Sequence, residues 1–353
     1  MWKASRYEGV AVPFAPIVPA DEYLHPATAE PHFTDIETNL YGFNIPAEDI
    51  QSNIYVLWHP LLRTMSIQIF VYRGRRVLPH QLAADYFQEQ LFLPAVTDNS
   101  DWRMQMGSCS VRFQILQPLE RILIEIEDPR RRFALNLRYD AAMPPVGRPG
   151  GKHFTQLMKT SGELTLDGKR YGIDGLYVRD RSWGYRRPEE PESVPPYRWM
   201  TGWFGADSAF VAAWMDTGLL DSPEFGPDWN RMADGRDATG ANKWESGGKT
   251  PSLNFRSGWF AVDGTPRPVV RMDVRTLSAE PSQLQVKAIE LELEDSSGEV
   301  HRIRGDVLSL IPKMYWQNLL VYMHCVELKY GQRTGHGDLM DTYSTHHVRR
   351  HGI

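Results

Sequence analysis

Apolar and polar residues alternate with a period of two along several stretches of the chain. In SIQIFVY, Ile67, Ile69 and Val71 fall on one side and Ser66, Gln68 and Phe70 on the other. ILIEIED repeats the pattern with Ile122, Ile124 and Ile126, and FALNLRY with Phe133, Leu135 and Leu137. Successive side chains of an extended strand point to opposite faces, so this spacing predicts antiparallel-type strands with one face on a core. Asp167-Gly168, after GELTL, and Asp263-Gly264, after SGWFAV, accept the left-handed backbone of a tight hairpin, one in each half of the chain. In LQVKAIELELED the apolar parity changes between Ala288 and Ile289, which predicts a β-bulge or a bend.

Helical periodicity is scarce. PHQLAADYFQEQLF, residues 79–92, spaces Ala83, Phe87 and Leu91 on successive turns with Leu82 and Tyr86 beside them, and predicts a helix. PKMYWQNLLVYMH, residues 312–324, carries a weaker helical pattern among strand-like residues. The fold class is therefore mainly β, with few short helices. PEEPESVPP at 188–196 has the composition of a linker, and the Gly, Asp and Pro-rich run at 221–251 that of a lid or insertion. A boundary near residue 195 divides the chain into domains 1–195 and 196–353.

Composition narrows the classes. At 353 residues the chain exceeds what one core usually organises, so two domains or one large β-rich body are expected. Basic and acidic residues number 39 and 44, and apart from Arg130, Arg131 and Arg132 no block of one sign stands out; nucleic acid is not an expected partner. Cys109 and Cys325 form no disulfide framework and no thiolate metal cluster, which fits a reducing compartment. The start lacks an apolar signal region and nowhere do 18 apolar residues run together, so a cytoplasmic protein without membrane insertion is expected. With 11 Trp, 15 Tyr and 14 Phe, the chain can fill a β-rich core or line an apolar ligand cavity.

The densest chemistry lies in VRDRSWGYRR, residues 178–187. As a strand, it places Tyr177, Arg179, Arg181, Trp183 and Tyr185 on one face and Val178, Asp180, Ser182 and Gly184 on the other. Cations and rings share one side, where they can stack; a carboxylate and a hydroxyl share the other. If Asp180 faces a dry lumen, desolvation raises its pKa and lets it donate a proton. If a guanidinium holds it, it stays ionised and braces the wall. Asp174, in YGIDG, is a rival acid in a setting that also suits a turn.

SGELTLDGKRYGIDGLYVRDRSWGYRR, residues 161–187, resembles a segment of the carotenoid-hydratase and AttH-like family of lipocalin-like (calycin) double-barrel proteins. Gly175, Arg179, Asp180, Ser182, Trp183, Gly184 and Arg186 carry the match, supported by SGWFAVDG at 257–264 and ELKYGQRTGHGDLMD at 327–341. Arg181 stands where the family usually has His, and Asp341 where it usually has Glu. The resemblance implies two lipocalin-like antiparallel β-barrels side by side, enclosing an apolar cavity. It also implies hydration, cyclisation or isomerisation of isoprenoid and other hydrophobic skeletons without a redox cofactor. Glu37, in DIETNLYGF, corresponds to a family Glu and becomes a second pocket carboxylate.

Other constellations carry less. His324, Glu327, His336, Asp338, His346 and His347 match no structural zinc spacing, and on a strand His324 and Glu327 point to opposite faces; no metal is expected. The tail from His346 to His351 reads as a solvated terminus. Gly331, Gly335 and Gly337 lack the βαβ setting of a dinucleotide fingerprint, and no Gly-x-Ser-x-Gly elbow is present. Cys109 reads as a small buried thiol. The expectation is a cofactor-free acid–base enzyme, a hydratase or dehydratase, cyclase or isomerase acting on a C=C bond of a terpenoid, steroid or polyketide-like substrate. Asp180, Asp174 and Glu37 are its candidate acids, and Trp183, Tyr185, Trp203 and Arg179 its candidate wall. Trp199 and Trp214 suit core filling as well as ligand lining. A non-catalytic carrier of a hydrophobic small molecule is the alternative. Self-association into a homo-oligomer is compatible with either.

Overall fold

A computed structural model describes residues 5–8, 11–25, 35–75, 81–92, 99–185, 197–215, 255–280, 285–316, 319–345 and 348–349. The 188–196 and 221–251 segments, the 195 boundary, and residues 346, 347 and 351 of the tail lie outside these residues. The chain divides into two compact units, one built from 16–147 with 151–186, the other from 1–15, 148–150 and 187–353.

The strands are β1 (Ser5–Glu8), β2 (Asp35–Ile45), β3 (Ile50–His59), β4 (Thr64–Arg73), β5 (Ala84–Phe92), β6 (Asp101–Met106) and β7 (Cys109–Gln117). They continue with β8 (Arg121–Asp128), β9 (Phe133–Ala141), β10 (Val146–Gly147), β11 (His153–Leu166), β12 (Lys169–Tyr185), β13 (Tyr197–Gly205) and β14 (Ser208–Met215). The last six are β15 (Phe255–Val262), β16 (Thr265–Glu280), β17 (Gln285–Asp295), β18 (Val300–Trp316), β19 (Leu319–Tyr330) and β20 (Arg333–Ser344). In the first unit the order β5-β4-β3-β2-β12-β11-β9-β8-β7-β6 wraps into a nearly closed antiparallel barrel, with β10 against β11. In the second, β13 to β20 close through the β16–β17 pairing, and β1 adds to β16.

The turn chemistry is as expected. Asp167 and Gly168, at φ 53° and 83°, join β11 to β12 in a two-residue hairpin that pairs Leu166 with Lys169. Asp263 and Gly264, at φ 53° and 73°, do the same between β15 and β16. The parity change at Ala288–Ile289 sits opposite register shifts between Thr276 and Ala279 of β16, so the irregularity is shared by both strands.

Within the predicted helix at 79–92, Ala84–Phe92 is instead strand β5. Its residues pair with β4 from Ala84↔Val71 to Phe92↔Thr64, and Ala84 and Tyr86 are buried while Asp85 and Phe87 are exposed. Pairing with a neighbour whose two faces are both buried overrides a local pattern of helix formers. Residues 312–316 and 319–324 are likewise strand, in β18 and β19.

Alternation sets the core. In the first barrel Tyr41 reaches across the lumen, its ring centroid 5.8 Å from Phe113 on β7 and 5.5 Å from Tyr139 on β9. Tyr139 in turn clasps β2, its hydroxyl accepting from Gly42 N at 2.9 Å and donating to Gly42 O at 2.7 Å. A Cβ at Gly42 would lie 2.5 Å from the Tyr177 ring, so the clasp requires glycine there. The second barrel is filled by Met200, Phe210, Trp214, Phe260, Leu291 and Leu339 with their neighbours.

Candidate functional site

The described part of that stretch, residues 178–185, ends β12, between β11 and β2. The register Arg181↔Asn39 and Trp183↔Glu37 puts Arg179, Arg181 and Trp183 on the face of Glu37, Asn39 and Tyr41, which is the lumen. Asp180 and Ser182 share the opposite, outer face with Thr38 and Leu40. The charges are sorted by side, as the alternation implies.

Each lumen arginine has its own carboxylate. Arg179 is bidentate to Glu22, with both contacts at 2.6 Å, and its Nε donates to Gln156 Oε1 at 3.1 Å. Glu22 ends a 3-10 turn over Pro19–Glu22 and also accepts from Leu119 N at 2.9 Å. Gln156 Nε2 donates to the Leu119 and Met143 carbonyls, which fixes the side chain. Arg181 donates to Glu37 and to Tyr23 O, the latter at 2.8 Å. Glu37 also accepts from His25 N at 2.8 Å, and the His25 ring stacks on Trp183 with centroids 4.3 Å apart. Residues 19–25 are thus strapped to the barrel by the Glu22–Arg179 ion pair, by the hydrogen bonds of Tyr23 O and His25 N, and by a ring stack.

Electrostatics locks these groups. Burial would raise the Glu22 carboxyl, but the charge and hydrogen bonds of Arg179 carry it below the usual range. For Glu37 burial is likewise outweighed, by hydrogen bonding to His25 and the charge of Arg181. Both are carboxylates at neutral pH. Burial, helped by the Glu22 charge, pushes the Tyr41 phenol well above its ordinary value, so it stays protonated; it donates to Asn39 Oδ1 at 3.3 Å. Between Tyr41, Trp58, Trp102, Phe113 and Arg181 lies an enclosed cavity of about 10 Å³, room for one water. Where the resemblance implied an apolar cavity, the described lumen of this barrel is packed with rings and paired charge.

On the outer face Asp180 contacts His153 Nε2 in a close hydrogen bond. Their side chains are 13% and 17% exposed, and His153 Nδ1 is buried without a hydrogen-bond partner among the described residues. Nearby, Thr38 Oγ1 and Ser182 Oγ share a hydrogen bond of 2.5 Å. Of the other sequence candidates, Asp174 is exposed in mid-strand opposite Ser161, not in a turn. Trp203 is buried on β13 of the second unit, and Tyr185 is the last residue of β12, its side chain outside the description. Glu37, Arg179 and Trp183 come together in the lumen; Asp180, Asp174 and Trp203 do not join them.

Sequence reasoning missed Glu22, His25, Gln156, Tyr41 and His153. Two of these were reachable. Once Leu166 pairs with Lys169, the hairpin fixes every later pair of β11 and β12, so Gln156 must face Arg179 and His153 must lie one step from Asp180. Glu22, 157 residues from Arg179, has no such signal. In the second unit Asp295, Glu299 and His301 bring their ligand atoms within 4.8 Å of one another, a set that could hold a cation. Arg267 lies 3.4 Å from Asp295 and 3.5 Å from Glu299 and already supplies positive charge there.

Two antiparallel barrels in one chain, with the Arg-Asp-x-Ser-Trp-Gly strand on one wall, define a lipocalin-like double-barrel protein. The chain belongs to the family described as domain of unknown function DUF7064, whose model matches residues 18–346. No curated protein sequence matches it. Among solved structures, it is similar to CghA with Sch210972 at TM-score 0.59 and 11% identity, covering 97% of this chain and 98% of that one. Kievitone hydratase from Nectria haematococca follows at TM-score 0.55 and 12% identity, covering 98% of both. An AttH-like protein from Nitrosomonas europaea gives TM-score 0.51 and 15% identity, covering 93% and 99%. At these identities the likeness is one of fold. No helix among the described residues is long and apolar enough to cross a membrane.

Proposed function

We propose that the protein is a cofactor-free acid–base enzyme acting on a C=C bond of a hydrophobic substrate, with His153 and Asp180 as its proton-transfer pair. The observation that carries the reading is the free Nδ1 of a part-buried imidazole whose Nε2 is held by a carboxylate. A carboxylate accepts only, so it fixes the proton on Nε2 and leaves Nδ1 to take or give the reacting proton. The lumen carboxylates cannot compete as acids, because Glu22 and Glu37 are both held ionised by guanidinium partners. Asp180 therefore orients the acid rather than being it. The Thr38–Ser182 hydroxyl pair, on the same outer face, belongs to the surrounding wall. Kievitone hydratase, a protein of the same fold, makes addition of water to an alkene the first chemistry to try.

The test uses kievitone and any small molecule co-purified under mild conditions, incubated with the protein in heavy water. Mass spectrometry then looks for deuterium on carbon or for added water. Turnover by the wild type, lost in His153→Gln, supports the reading. The lumen itself, packed and charge-neutralised, offers no acid. A co-purified ligand returned unchanged and unlabelled by the wild type would establish the carrier instead.

A further inference from the structure

The lumen of the first barrel holds two buried hydrogen-bond donors that the chain itself does not meet. Arg181 uses both terminal nitrogens, Nη1 on Ser182 O at 3.0 Å and Nη2 on Glu37 and on Tyr23 O, but its Nε has no partner among the described residues. The indole N–H of Trp58 is in the same position, and the two residues are 0% and 3% exposed. They stand on the strands that flank β2, Trp58 opposite Glu37 and Arg181 opposite Asn39. The indole is fixed there: it packs perpendicular to Trp102 with centroids 4.6 Å apart, and Trp102 stacks on Phe113 at 4.1 Å.

Trp58 and Arg181 both line the enclosed cavity of about 10 Å³, and Asn39 lines it between them. That volume takes one water and nothing larger. Neither an indole nor a guanidinium nitrogen can accept, and buried donors are rarely left unpaired, so both call for an acceptor from outside the chain.

We infer that this cavity is a binding site for a single water molecule, whose oxygen accepts from Trp58 Nε1 and Arg181 Nε. One of its protons goes to Asn39 Oδ1, which already accepts from Tyr41 and has a second lone pair, giving the three partners usual for an internal water. A halide of similar size is disfavoured, because Glu22 and Glu37 are ionised and the Arg181 charge is already met. The strap seals the site. Leu24 lines the cavity from above, and Asn99 clasps its backbone from both sides, accepting from Leu24 N at 3.1 Å and donating to Leu24 O at 2.9 Å. The water exchanges with bulk when that clasp opens. None of this depends on the acid–base reading, whose residues lie on the other face of β12.

NMR of deuterated, nitrogen-15-labelled protein tests it. The indole N–H resonance that disappears in Trp58→Phe should show, in the wild type, a cross-relaxation peak to water with the sign of a bound molecule. An assigned Trp58 N–H without that peak overturns the site. Asn99→Ala removes the clasp and neither donor, and should shorten the residence time of this water about 5–150-fold, the worth of two hydrogen bonds; an unchanged residence time overturns the seal. Should Trp58→Phe fail to fold, a crystal structure of the wild type takes its place. Density for one oxygen within about 3.2 Å of both nitrogens is then required, and either its absence or its replacement by bromide on soaking refutes a water site.

Discussion

Replacing Glu22 by glutamine removes one charge from the most buried ion pair of the first barrel and changes almost no volume. In the wild type the carboxylate accepts two bonds from Arg179 at 2.6 Å and one from Leu119 N, with both side chains 1% exposed. After the change Arg179 keeps Gln156, an uncharged partner, and becomes a buried cation without a counter-charge. Breaking one side of such a pair costs about 3–5 kcal/mol. For a domain of this size each kcal/mol moves Tm by roughly 2–4 °C, so the first barrel should melt roughly 6–20 °C earlier. The pH dependence carries a sign. Glu22 has a native pKa below its unfolded value, so its contribution is present above the unfolded pKa of about 4.3 and is lost as pH falls through the lower native one. Wild type and Glu22→Gln should therefore diverge at pH 7 and converge in acid. Differential scanning calorimetry across that range measures both. Adding Arg179→Met should restore about 1–3 kcal/mol relative to additivity, since the orphaned cation goes with it. A variant melting within 2 °C of wild type at pH 7, or a gap that widens in acid, would refute the account.

Asp180→Asn should lower turnover by roughly 10²- to 10⁴-fold in single-turnover assays, with ligand affinity little changed, because the amide no longer fixes the His153 proton; affinity and melting temperature falling together would mark Asp180 as a brace instead. Gly42→Ala should destabilise the first barrel by about 1–3 kcal/mol, by driving a methyl into the Tyr177 ring, and urea unfolding would show it as a lower midpoint for that barrel. Burial would raise the Asp295 carboxyl, but the bonds from Ser297 and His301 bring it to about 2, so Asp295 contributes about 2 kcal/mol above pH 4 that disappears as pH falls from 4 to 2. Thermal melts of Asp295→Asn should show a deficit at pH 6 that closes below pH 2.

Much of the barrel architecture was legible because it rests on local rules. Period-two runs became β4, β8 and β9, and the two Asp-Gly dipeptides became hairpins. The error at 79–92 arose where the residues are good helix formers and only the partner strand decides; Ala84 and Tyr86 are buried because β4 lies beside them. The site was half legible. Alternation sorted Arg179 and Arg181 from Asp180, and the hairpin register could have delivered His153 and Gln156. Glu22 and His25, by contrast, belong to a segment with no periodicity that returns to the barrel wall across more than 150 residues, and only the folded chain brings them there.

The arginines described in the 178–187 strand also bear on where acid–base chemistry can occur. A group can exchange protons with a substrate only if its two protonation states are close in free energy and one of its atoms is free to reach the reacting carbon. Arg179 and Arg181 remove Glu22 and Glu37 from that set on both counts, since they stabilise the charged state and occupy the oxygens. The lumen face of β12 is then held by fixed charge, which needs rigid partners and tolerates little motion. One residue over, on the outer face, the same strand holds Asp180 against His153 with no guanidinium bonded to either among the described residues, and the imidazole keeps an unpartnered Nδ1. Under the proposed acid–base reading, alternation separates bracing from reactivity within a single strand: the lumen-facing arginines fix β12 against β2 and the 19–25 turn, and that fixed strand sets the position of the Asp180–His153 pair on its other side.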